Sequence, residues 1–265
     1  MPITRVSRLA AASLLLATAA CGSDDDPGRA GATEPSGGQA VSGPVTVFAA
    51  ASLTDAFGAL ASAFEDANPD ASVELNFGAS SALREQILAG APADVFASAN
   101  TANMDQVVEA GAVEGEPEVF ARNELQIVVP AGNPGDVRGL DDFADPDLLV
   151  GLCAEQAPCG QFGRRVLANA NVTPAQDTDE PDVRSLLTKV EAADLDVGLV
   201  YATDVRAAGD AVEGIEIPEE DNVVADYPVA ALSAATEPDV AAAFVAFVLS
   251  AAGQDVLASY GFMPA

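Results

Sequence analysis

The groups in this chain best placed to do chemistry are hydroxyls and backbone amides at the starts of helices. Residues 45–48 (Val45-Thr46-Val47-Phe48) alternate β-branched and aromatic side chains and read as a buried strand. Three alanines then lead to Ser52, and Ser52 with Asp55 fits the S-x-x-D pattern that opens a helix. Leu53, Ala56, Phe57, Leu60 and Phe64 fall on one face of that helix. A strand ending at a helix start leaves free N–H groups aimed at one spot, which suits an anion. The plainer alternative is that Ser52 only caps the helix. A second strand, 72–77, runs into Gly78-Ala79-Ser80-Ser81 and a helix over 82–88, so a strand end again meets serines at a helix start.

Composition narrows the chemistry further. Across 265 residues there are 11 Lys+Arg against 41 Asp+Glu, a formal net charge of −30. Such a surface repels nucleic acid and anionic membranes, so neither is expected as a partner. It also repels an anionic ligand at long range, so any anion must be held by close, directed contacts. The chain has no histidine, which removes Ser-His-Asp and Cys-His catalysis and His-ligated metal sites. Lys189 is the sole lysine and sits in an amphipathic helix, a poor start for Schiff-base chemistry. No enzyme activity and no cofactor are expected.

The N-terminus reads as an export signal. Arg5 and Arg8 precede an apolar run, 9–20, too short to span a bilayer. It ends in Leu16-Ala17-Thr18-Ala19-Ala20-Cys21, similar to a bacterial lipoprotein signal in which the cysteine becomes the lipidated first residue. Ordinary cleavage near 17–19 is the competing reading. Residues 22–43, rich in Gly, Ser, Pro and Asp, are expected to form a flexible tether. The protein is thus expected outside the cytoplasm, lipid-anchored through Cys21 on the outer face of the cytoplasmic membrane or periplasmic.

From Val45 onward strand-like and helix-like segments alternate, the pattern of an α/β fold with largely parallel strands. Further strands are expected at 95–98, 125–129, 148–152 and 197–201, and helices at 101–109, 161–169, 182–193, 240–249 and 254–260. Extended segments near Leu125 and Val229 suit a two-lobed chain with one lobe inserted in the other and a ligand cleft between them. No internal sequence repeat is evident. Cys153 and Cys159 have five residues between them; in an oxidising compartment a disulfide is expected, worth roughly 2 kcal/mol by loop closure. A two-cysteine metal site or a catalytic thiol is the rival reading, and both lack partner residues.

Taken in order, Val47-Phe48-Ala49-Ala50-Ala51-Ser52-Leu53-Thr54, Asn76-Phe77-Gly78-Ala79-Ser80-Ser81 and Gly90-Ala91-Pro92-Ala93-Asp94-Val95-Phe96 resemble the molybdate-binding proteins of ABC importers. Asp182-Val183-Arg184, Gly198-Leu199-Val200-Tyr201, Tyr227-Pro228-Val229 and Tyr260-Gly261-Phe262 extend the resemblance over 45–264. It implies a type II periplasmic binding protein fold: two lobes, mixed and mostly parallel sheets, and a ligand cleft between them. Lobe I would be 44–123 with 224–265, and lobe II 124–223. The implied ligand is molybdate, with tungstate beside it; the implied partner is the importer's permease, and the chain would act as a monomer. Carried over by position, the oxyanion would meet the hydroxyls of Ser52 and Ser80, the backbone N–H groups of Cys159 and Val183, and the hydroxyl of Tyr201. Cys159 departs from the small apolar residue common there, so its amide would depend on the disulfide. Tyr201 has an alternative reading as a buried strand-end tyrosine with a satisfied hydroxyl. Arg184 is read as structural or hinge-related.

A site of this kind is chemically coherent without the family. Ser52, Ser80, Gly160 and Val183 each stand at an expected helix start, so four N-termini offer oriented N–H groups and partial positive charge. A set made only of donors favours fully ionised oxyanions over a protonated phosphate. Sulfate remains the alternative ligand.

Overall fold

The structure, a computed structural model, describes residues 41–265. The export signal, Cys21 and the tether up to residue 40 lie outside the described residues.

Local sequence explains most elements. β1 (Gly43–Ala50) has Val45 and residues 47–50 buried, as befits a strand covered on both faces. A 3₁₀ turn, Ala51–Leu53, links it to α1 (Thr54–Ala67), whose apolar stripe is Ala56, Phe57, Leu60, Ala61 and Phe64. There follow β2 (Ala71–Gly78), α2 (Ser80–Leu88), β3 (Val95–Ala97) and α3 (Thr101–Glu109). β4 (Val113–Pro130) is the long crossing strand, and β5 (Val150–Cys153), α4 (Pro158–Asn169), β6 (Gln176–Glu180), α5 (Val183–Glu191) and β7 (Val197–Tyr201) come next. The chain then forms α6 (Ala202–Ala208), β8 (Val212–Ile215), β9 (Val224–Leu232), α7 (Pro238–Leu249) and α8 (Ala251–Ser259).

The strands form a nine-stranded mixed sheet in the order β2-β1-β3-β9-β4-β7-β5-β6, with β8 beside β4. Every antiparallel pairing involves β4 or β9; β1 with β2 and β3, and β5 with β6 and β7, pair in parallel. The two halves repeat one design. β1-α1-β2-α2-β3 places β1 between its two successors, and β5-α4-β6-α5-β7 does the same with β5. In such a unit the strand order reverses beside the first strand, leaving a crevice at the carboxyl ends. β4 joins the halves, pairing with β9 as far as Glu124 and with β7 from Leu125 onward.

Phe64 sets its ring edge-on to Phe244 of α7 at 5.3 Å, and Phe57 lies 5.7 Å from Phe120 of β4 and 6.2 Å from Phe244. Each buried ring contributes roughly 1.5–3 kcal/mol, so this cluster fixes α1 and the turn before it against the sheet.

Three expectations change in detail. The strand foreseen at 125–129 is eighteen residues long, because its first part, with exposed Glu114, Glu116 and Glu118, wets one face and lacks an apolar signal. β6, Gln-Asp-Thr-Asp-Glu, has no apolar residue at all and exists as an edge strand paired to β5. α4 begins at Pro158, three residues ahead of the expected start, with proline in the first turn where its missing N–H costs nothing.

Candidate functional site

The carboxyl ends of two sets of three parallel strands, β1–β3 and β5–β7, contribute to one site. Residues 50–52, 78–80 and Ala99 end or follow β1, β2 and β3; residues 157–159, 182–183 and Tyr201 end or follow β5, β6 and β7. Together they line a cavity of about 210 Å³, part of it open to solvent. Most of that space is open, and the enclosed part has room for about one water-sized sphere, so it suits nothing larger than a compact ion. Ser52, Ser80, Cys159, Val183 and Tyr201, drawn from five separate segments, all line it.

The helices supply backbone donors. α2 starts at Ser80, α4 at Pro158 and α5 at Val183, and the first N–H groups of a helix have no partner within it. Gly160 lets α4 sit this close to β5: a Cβ there would lie 2.0 Å from the Ala154 carbonyl oxygen. The Cys153–Cys159 disulfide, with Cα atoms 5.7 Å apart, ties the end of β5 to the first turn of α4.

Ser52 departs from the expected cap. It lies inside the 3₁₀ turn and makes no capping bond; that turn is held instead by Thr54 Oγ1 donating to the Ala51 carbonyl at 2.7 Å. The Ser52 hydroxyl is hydrogen-bonded to the Tyr227 hydroxyl at 2.9 Å, both groups buried. The S-x-x-D spacing misled because a buried partner 175 residues away outcompetes the local backbone amide. Ser80 Oγ accepts from the Ala99 N–H at 2.9 Å. Tyr201 Oη, also buried, has no partner within hydrogen-bond geometry among the described residues, with the Tyr227 side chain beside it. Burial, with Tyr227 and Asp204 adding to it, pushes the Tyr201 hydroxyl well above the usual phenol range, which keeps it a donor.

Among the described residues no lysine or arginine lines the cavity. Its one acid, Asp182, is the N-cap of α5, with Oδ1 accepting from the Ser185 N–H at 2.9 Å. Arg184 pairs with Asp55 of α1, across from α5, and its Nε lies 3.4 Å from Asp204 Oδ1. Asp204 is wholly buried, and its Oδ2 accepts from the Tyr201 N–H at 3.1 Å. Burial raises its carboxyl to about 7; Arg184 and the Tyr201 amide oppose that rise, while Asp55 and Asp182 add to it. A second tie runs from Asn100 Nδ2, after β3, to Gln161 Oε1 of α4 at 3.1 Å. Sequence reasoning missed Tyr227 and Asn100 as supports, since nothing local marks pairings so distant in the chain, and missed Asp204, whose place three residues after Tyr201 at a helix start was a usable local signal. Among the described residues no three His, Cys, Asp or Glu side chains are grouped to hold a metal ion.

Six strand ends, neutral donors and a small cavity describe a receptor for a compact solute, and comparison with known proteins agrees. Residues 45–263 match the family described as bacterial extracellular solute-binding protein. The chain belongs to that family. It is 38% identical over 254 residues to the molybdate-binding protein ModA of Mycobacterium tuberculosis strain H37Rv, covering 96% of this chain and 95% of that one. In fold it is similar to the Azotobacter vinelandii periplasmic molybdate-binding protein (TM-score 0.75, 18% identity, 83% of this chain and 99% of that one). The sulfate-binding protein SubI of M. tuberculosis H37Rv is as near in fold (TM-score 0.75, 20% identity, 83% and 86%). These likenesses show a periplasmic-binding-protein fold for this solute-binding protein, and the resemblance drawn from its motifs holds at the level of family.

Proposed function

We propose that this solute-binding protein captures molybdate, and tungstate with it, outside the cytoplasm and delivers it to the permease of an ABC importer. The observation that carries the reading is the cavity wall: serine and tyrosine hydroxyls with the N-termini of three helices and, among the described residues, no cation. Burying a dianion costs tens of kcal/mol unless polar groups replace its water; charge-assisted hydrogen bonds return roughly 1.5–3 kcal/mol each, so a wall of many donors is required. In this reading Ser52, Ser80 and Tyr201 donate through their hydroxyls and Cys159 and Val183 through their backbone N–H groups. The relatives named for molybdate support the choice of ion.

The protein acts as a monomeric receptor and not as an enzyme, held at the membrane by a lipid on Cys21. Lobe I comprises 44–123 and 224–265, and lobe II 124–223; they hinge where β4 exchanges β9 for β7. The ion pair Asp55–Arg184 and the bond Asn100–Gln161 bridge the lobes. Sulfate is the second reading, favoured by the equal likeness in fold to SubI. Calorimetric titration of the mature protein with molybdate, tungstate, sulfate and phosphate decides: molybdate and tungstate bind tightly, sulfate weakly or not at all. No heat with molybdate, or tighter binding of phosphate, would overturn the proposal.

A further inference from the structure

Tyr227 lies behind the cavity wall, and its ring is pinned edge-on by three others: Tyr201 at 5.8 Å, Phe262 at 5.6 Å and Phe120 at 6.3 Å. Its hydroxyl meets Ser52 Oγ at 2.9 Å. Either oxygen could donate in that pair, and the two choices give opposite sites. If Ser52 donates to Tyr227, Ser52 shows the cavity only lone pairs. If Tyr227 donates to Ser52, the Ser52 proton is free to point at a ligand.

Ser80 shows how such a choice is fixed. The Ala99 N–H donates to Ser80 Oγ at 2.9 Å and can never reverse, so the Ser80 proton must look elsewhere. We propose that Tyr227 is the corresponding positioning residue for Ser52: by donating its phenolic proton it turns the Ser52 hydroxyl into a donor toward the cavity. The inference rests on the oxyanion reading of that cavity. A phenol is a better donor and a poorer acceptor than an aliphatic hydroxyl, because its oxygen lone pair is delocalised into the ring. Burial holds the Tyr227 hydroxyl protonated, so the donor persists over the working pH range.

The consequence is selectivity. With Ala99 behind Ser80 and Tyr227 behind Ser52, each serine has one lone pair taken from behind and its proton free, so it meets the ligand as a donor. Asp182, the one acid in the wall, is engaged at the start of its own helix. A tetrahedral anion that still carries a proton, such as hydrogenphosphate or hydrogenarsenate, would place its O–H against donors. Tyr227 is thus a residue that rejects protonated oxyanions without touching them.

The test titrates wild type, Tyr227→Phe, Ser52→Ala and the double variant with molybdate and with phosphate by calorimetry near neutral pH. Phenylalanine keeps the ring contacts and removes only the donor. Molybdate affinity should fall about tenfold, the scale of one hydrogen bond, while phosphate affinity holds or rises, so the selectivity ratio drops. In the Ser52→Ala background Tyr227→Phe should change molybdate affinity less than twofold, since the residue acts through Ser52. If wild type binds molybdate but Tyr227→Phe matches it, weakens both anions equally, or retains its full effect without Ser52, the inference is wrong and the oxyanion site stands. If wild type binds no oxyanion, both fall. Should Tyr227→Phe not fold, wild type titrated with phosphate in two buffers of different ionisation heat serves instead. Absence of binding, or binding with release of the phosphate proton, fits the donor-only wall; binding without proton release overturns it.

Discussion

Replacing Arg184 by glutamine tests how the wall of the cavity is braced from behind. In the native protein Arg184, 29% exposed at its side chain, faces two carboxylates: Asp55 at the surface and Asp204, which is wholly buried. The pair with Asp55 is half in solvent and is worth about 0.2–1 kcal/mol. The pair with Asp204 differs, because removing its cation leaves a buried carboxylate with one backbone hydrogen bond, a loss of about 3–5 kcal/mol for a fully buried pair. Partial exposure of Arg184 argues for the lower end, about 3 kcal/mol. That loss applies only where Asp204 is charged. Its carboxyl, raised to about 7, is protonated in the folded state and ionised in the unfolded state between about pH 4 and 7. The native state therefore binds more protons there, and this group's contribution to stability declines from about pH 4 and is gone above about pH 7. Without Arg184 the carboxyl rises further and the decline continues to higher pH. Arg184→Gln should thus cost less than about 1 kcal/mol at pH 5 and about 3 kcal/mol at pH 8. Urea denaturation of wild type, Arg184→Gln and Arg184→Gln/Asp204→Asn across pH 5–8.5 measures this. Repulsion among the other carboxylates is nearly common to all three and drops out of the differences. A deficit independent of pH, or one that survives unchanged in the double variant, would refute the argument.

Ser52→Ala with Ser80→Ala removes two hydroxyl donors of roughly 1.5–3 kcal/mol each; molybdate affinity should fall at least a hundredfold in calorimetry while circular dichroism stays native. Reducing Cys153–Cys159, or replacing both by serine, should lower unfolding stability by about 2 kcal/mol through the short loop and weaken molybdate binding, because the first turn of α4 loses its tie to β5. Raising salt from low to physiological concentration should speed molybdate association in stopped flow, since screening shortens the repulsion from a surface of net charge −30.

The acidity of the surface and the proposed affinity for an anion are compatible because they act at different ranges. Exposed carboxylates repel over about a Debye length, roughly 8 Å at physiological salt. Inside the cavity the field comes from N–H and O–H dipoles a hydrogen bond away, in a setting of low dielectric where each is stronger than in water. A lysine or arginine would add attraction but little choice among anions. Fixed dipoles tell a bare oxygen from a protonated one. The Ala99 amide behind Ser80, and in our proposal Tyr227 behind Ser52, act in this way, each on a serine hydroxyl rather than on the ligand.

What could be read from the sequence, and what could not, divides along the same physical line. Val45, Val47 and Phe48, or Val183, Leu186, Leu187 and Val190, declare a strand and a helix because burial there is dictated by local periodicity. Serines and glycines at the strand ends were visible for the same reason, and all five expected site residues fall on one cavity. β6 was invisible because an edge strand can be made wholly of polar residues when its neighbour supplies the ladder. The repeated β-α-β-α-β design was equally hidden. Two units can share strand order while sharing no residues, since the order is set by crossovers and not by side chains. The pairs Ser52–Tyr227 and Arg184–Asp55 span 175 and 129 residues, and no local rule selects such partners. Ser52 marks where local reading gives way: its spacing to Asp55 satisfied a capping rule, yet the fold brought it a tyrosine, and the tyrosine decides which way its proton points.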